Sequence, residues 1–93
     1  MYKSIEKVVS EYIFTFPNLG FPVKGRITEK PGSSLSSQQP FLWSVSHYYK
    51  HAKDAPGVNP PPKTECASKE EAERLLFSYV RGFTDFVEPN KFY

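Results

Sequence analysis

One short segment constrains everything the rest of this chain can do. Between Lys69 and Arg81, Ala72, Leu75, Leu76, Tyr79 and Val80 recur at helical spacing, and Phe83 prolongs the stripe. Ser68 precedes the stripe and Glu71 follows three residues later, the capping-box pattern in which each side chain meets a backbone donor of the first turn. Gly82 stands where a left-handed C-cap falls. Glu70, Glu71 and Glu73 put negative charge where the helix dipole favours it, and Glu70 is spaced to pair with Arg74. Such a helix has one apolar side, so the remaining chain must supply a surface to cover it.

That surface is a sheet. From Phe21 to Lys30 the chain alternates, with Phe21, Val23, Gly25 and Ile27 on one side and Lys24, Arg26, Thr28 and Lys30 on the other. Gly25 on the apolar side marks a bulge or a close approach of the helix. Upstream, Tyr12, Phe14 and Phe16 alternate with Ile13 and Thr15 in a strand that begins near Val8. Pro17, Asn18, Leu19 and Gly20 form the turn of an antiparallel hairpin. A short helical turn capped by Ser4 competes for the first residues, because Ile5, Val8, Val9 and Tyr12 also fit a helical stripe. Phe41 to Lys50 reads as a third strand, with Phe41, Trp43, Val45, His47 and Tyr49 towards the helix and Leu42, Ser44, Ser46, Tyr48 and Lys50 away from it.

Two connections interrupt this order. Residues 31–40 are rich in turn formers, and residues 51–67 carry Pro56, Gly57, Pro60, Pro61 and Pro62, which exclude regular helix and favour extended backbone; both read as flexible loops. The residues after the helix include Phe83, Phe86, Val87, Phe92 and Tyr93, too apolar for a solvated tail, so at least the first half is expected to pack on the domain. The expected fold is α+β: one domain over residues 1–93, a two-layer sandwich of a three-stranded antiparallel meander covered on one face by one C-terminal helix.

A chain of 93 residues makes a small core, and its eight Phe, six Tyr and one Trp are what can fill it. The formal charge of +2 gives no strong pull towards nucleic acid or membrane. Cys66 stands alone, which excludes an intrachain disulfide. The first residues lack the uninterrupted apolar core of a signal peptide, and no segment reaches the length of a membrane span. These features point to a soluble cytoplasmic protein.

Catalytic and metal chemistry find little footing. His47 and His51, with Asp54 and Cys66, offer donor atoms, but two histidines four apart on an extended chain lie roughly 13 Å from each other. No nucleophile motif surrounds Ser46 or Cys66, and the glycines are too dispersed for a phosphate loop. The expectation is therefore a protein without enzymatic activity, metal or cofactor. Two binding surfaces remain. Phe77 lies off the helical stripe, and with Val58 of the proline-rich loop and Phe92 and Tyr93 of the tail it offers anchors for a protein partner, a second copy of the chain included. Alternatively, Lys24, Arg26, Lys30, Tyr48 and Lys50 on the outer sheet face supply cations and an aromatic ring for nucleic acid. The first reading, an adaptor, regulator or inhibitor working through protein contacts, leads.

Overall fold

The computed structural model describes residues 7–30 and 40–93. In chain order the elements are β1 (Lys7–Phe14), β2 (Val23–Glu29), β3 (Phe41–Val45), β4 (His47–Tyr49), β5 (Glu65–Cys66), α1 (Lys69–Arg81) and β6 (Val87–Pro89). β1, β2 and β3 form the antiparallel meander, and α1 packs on one face of it, giving the expected α+β architecture. The helical turn at Ser4 and nearly all of the 31–40 connection lie outside the described residues.

Register decides which residues meet the helix. Tyr12, Gly25 and Val45 align across the three strands, as do Ser10, Ile27 and Trp43, and all six face α1. Ile27, Trp43, Val45 and Cys66 are buried against Ala72, Leu76, Tyr79 and Val80. Each large side chain removed from water in this way stabilises the fold by roughly 1.5–3 kcal/mol. Gly25 marks a close approach of the helix: a Cβ there would stand 2.9 Å from Leu76 Cδ1 and 3.1 Å from Phe14 Cε2. Only a bare α-carbon lets Leu76 reach the sheet.

The ends of α1 depart from the expected detail. Ser68 Oγ accepts from the Glu71 amide at 3.1 Å, but the Glu71 carboxylate accepts from Ala67, one residue before the cap, at 3.0 Å. That hydrogen bond holds the Glu71 carboxyl below its usual range. Gly82 is not left-handed. Its φ is −84°, and its amide donates to Tyr79 O in a tightened last turn. A Cβ there would make only ordinary van der Waals contact with the Tyr49 ring, 3.7 Å from its hydroxyl. Glu70 and Arg74 point into solvent without pairing; among the described residues the ion pair is Lys63–Glu71, at 3.9 Å.

The third strand does not run unbroken to Lys50. At Ser46 the amide donates to Lys24 O on the β2 side, whereas the carbonyl accepts from Asn90 on the other. In a regular strand both groups of one residue point the same way. The Ser46 hydroxyl takes the place the carbonyl left, accepting from the Lys24 amide at 2.8 Å. The chain thereby changes sheets, and β4 pairs with β6, which docks the residues after the helix. His47 consequently leaves the apolar face and stacks on Phe21, ring centres 4.8 Å apart. Phe21, expected inside, is 42% exposed, because β2 starts only at Val23, after Pro22. The 51–67 stretch also holds a strand that periodicity could not show: β5 pairs with β3.

Candidate protein-binding edge and groove

The four-stranded sheet runs β1-β2-β3-β5, so β1 is a long edge strand and β5 closes the opposite side. Hydrogen-bond parity shows what β1 offers. Lys24 directs both its amide and its carbonyl to Ser46, away from β1. Ile13 is the residue opposite Lys24, which makes Ile13–Lys24 a pair that shares no hydrogen bond. Amide and carbonyl of Ile13 therefore point outward, and so do those of Glu11, two residues earlier. Among the described residues neither meets a partner. Upstream, the register slips between Val8 and Ser10, a bulge at Val9 that twists the start of β1 out of line. The part of the edge fit for pairing runs onward from Ser10.

Beside this edge lies an open groove of about 500 Å³, bounded by Ile13, Phe14 and Phe16 on one side and Phe77, Val80 and Arg81 of α1 on the other. Helix and strand run in the same direction here. Tyr12 donates to Glu73 at 2.6 Å, Phe14 meets the Phe77 ring edge-on at 5.9 Å, and Phe16 stacks on Phe83 at 5.5 Å. The bond to Glu73 raises the Tyr12 pKa, with burial adding to the effect. Phe77, an off-stripe aromatic in the sequence, is half-buried. It leans on Tyr12 and Phe14 and forms a wall of the groove. Ile13 is 69% exposed, a large apolar side chain on the wet face of an edge strand. Its position between inward Tyr12 and Phe14 was the one sequence signal for it.

The other protein-binding candidates lie apart from this groove. Val58 is half-buried in the proline-rich loop, beside Asn59, whose side-chain Nδ2 donates to the Tyr49 hydroxyl at 2.6 Å and whose main-chain carbonyl accepts from the Tyr79 hydroxyl at 2.6 Å. Phe92 and Tyr93 reach the outer sheet face through a turn at Asn90. Phe92 is 94% exposed and borders a second groove of about 410 Å³ floored by Val8, Arg26, Thr28, Leu42 and Ser44.

The basic residues do not gather into one patch. Arg26 lies beneath the Tyr93 ring, 4.2 Å from its centre, and donates to the Tyr93 main-chain oxygen at 2.9 Å. Glu11 stands directly opposite Arg26 on the same face. Lys24 is exposed, and Lys30 follows the end of β2 with its amide bonded to Pro40 O. Tyr48 and Lys50 lie past the break at Ser46, Tyr48 packing against the core and Lys50 donating to Lys53 O at 3.5 Å.

Reactive groups are occupied structurally. His47 Nδ1 lies 2.8 Å from Ser46 Oγ, and burial lowers the His47 pKa. Burial also pushes the Cys66 thiol up, as does the neighbouring Glu71 charge, the reverse of what a nucleophile needs. Tyr79, desolvated in the core, is pushed up to about 12. Among the described residues no three His, Cys, Asp or Glu side chains could hold a metal ion, and no helix is long and apolar enough to cross a membrane. Comparison with known proteins supplies no relative: no family model, curated protein or solved structure matches this chain.

Proposed function

We propose that this chain is a small, non-enzymatic cytoplasmic protein that works by binding other proteins, in an adaptor, regulator or inhibitor role, and that it does so by strand addition at β1. A partner segment in extended form would hydrogen-bond to the outward backbone of Glu11 and Ile13 and place alternate side chains in the groove against Phe77. Main-chain bonds of this kind supply affinity and the adjoining pocket supplies selectivity. The observation that carries the reading is the outward pair of backbone groups directly beside an apolar trough. An edge meant only to be soluble is commonly blunted by charge, proline or bulges; here the bulge at Val9 ends before the groove begins. The nucleic-acid reading has weaker support, because Arg26, at the centre of the proposed basic face, already stacks on Tyr93 and faces Glu11.

Selection from a displayed peptide library tests this. Enriched binders should carry large apolar residues at alternate positions, and Ile13→Pro should abolish their binding while the fold persists. Proline removes only the outward amide there, which edge strands tolerate. Phe77→Ser should weaken the same binders. Failure to enrich, or binders indifferent to Ile13→Pro, would overturn strand addition.

A further inference from the structure

We infer that the segment seated on this edge is β1 of a second copy of the chain, paired antiparallel about a twofold axis at Ile13. This rests on the strand-addition reading and adds the identity of the occupant. The groove calls for an extended segment with aromatic side chains at alternate positions towards the helix layer, and β1 with the two residues that follow it has that pattern in Tyr12, Phe14 and Phe16. A dyad at Ile13 sets Tyr12 opposite Phe14 of the second copy, Glu11 opposite Thr15, and Ser10 opposite Phe16. No like charges meet. Because the Ile13 backbone points outward, the two Ile13 residues form a doubly hydrogen-bonded pair, and Glu11 and Thr15 fall at the next such position. The exposed Ile13 side chains then cover each other on the outer face, while Tyr12, Phe14 and Phe77 of both copies gather on the inner one.

Symmetry also orders the charges. α1 runs with β1, so the two helices run antiparallel across the dyad, and the acidic end with Glu70 and Glu73 lies on the same side as the Arg81 end of the other copy. Arg81, exposed at the groove, makes no ion pair among the described residues. The Val9 bulge and Lys7 fall outside the paired stretch. The result is one continuous sheet running β5-β3-β2-β1 through the axis and out again, the isologous contact expected of a twofold dimer.

Sedimentation equilibrium of the full chain decides the matter. A dimer is expected in the micromolar to millimolar range. Ile13→Pro and Ile13→Asp should each raise its dissociation constant by about tenfold or more, with circular dichroism unchanged, and Ile13→Val should stay dimeric. A monomer throughout that range, or a dimer that both variants leave intact, would overturn the inference. If a variant loses its fold, hydrogen exchange at the Ile13 amide of the wild type replaces it: protection that rises with concentration supports pairing, and its absence refutes it. A monomer that still captures selected peptides in an Ile13-dependent way would refute the second copy but leave strand addition standing. A monomer that captures none would remove both.

Discussion

The two margins of the main sheet receive opposite treatment. On the β3 side, a two-residue strand, an indole and two tyrosines close the boundary: β5 pairs with β3, Trp43 Nε1 donates to Lys63 O at 2.9 Å, and Tyr79 and Tyr49 both bond to Asn59. On the β1 side, eight residues of strand end in outward backbone groups and an exposed isoleucine. Both margins are built from aromatic-rich, extended chain, so composition does not separate them. What separates them is whether the chain itself returns to cover the strand. The closed side belongs to the core and is expected to govern stability, whereas the open side is where association can act without disturbing the fold.

Substitutions should expose this asymmetry. Trp43→Ala on the closed side should cost about 3–5 kcal/mol in chemical denaturation, since it opens a cavity under α1 and removes the bond to Lys63. A near-neutral result would mean that the closed margin carries little of the stability. Gly25→Ala, in the strand between the two margins, should cost on the order of 1–3 kcal/mol through overpacking, because fully buried Leu76 has nowhere to retreat. Thermal melts of Gly25→Ala with and without Leu76→Ala should show a cost for the glycine change that shrinks in the double variant. Asn59→Ala should cost about 1 kcal/mol by unpairing the Tyr49 hydroxyl, measured as a shift in urea midpoint at constant slope. Ile13→Thr on the open side should change stability by no more than about 0.5 kcal/mol. Were it to cost as much as Gly25→Ala, β1 would be part of the core, and the contrast between the margins would collapse.

Linkage at Tyr79 adds a test in pH. Its folded pKa lies above the ordinary 10.0, at about 12, so between those values the folded chain holds a proton that the unfolded chain has released. Stability contributed by the neutral phenol is complete below pH 10 and should decline as pH rises towards 12. The slope of unfolding free energy against alkaline pH should flatten in Tyr79→Phe.

Much of the architecture was legible beforehand because its causes are local. Ser68 and Glu71 announce the helix start through bonds within one turn, and the alternation of Val23, Gly25 and Ile27 against Lys24, Arg26 and Thr28 predicts which side of β2 is dry. Trp43 and Val45 could be set in the core for the same reason. The open edge and its groove were legible only in fragments. Phe77 stood out as an aromatic off its stripe, whereas Ile13 was only one of the residues alternating with Tyr12 and Phe14, and nothing local joins the two. That they border one groove depends on α1 running alongside β1, a relation between residues some 60 positions apart in sequence, such as Tyr12 and Glu73.

A meander read from periodicity has two exposed margins, one at its first strand and one at its last, and local pattern cannot say which stays open. That choice came from Glu65 and Cys66, two residues too few to show any alternation, and from Ser46, whose hydroxyl stands in for a carbonyl so that the chain can change sheets. Pattern and propensity act over a few neighbours, and they determined the helix, the strands and their dry faces. Pairing between distant segments is selected by the free energy of the whole packed arrangement, so only the tertiary structure decided which strand was left with backbone to offer.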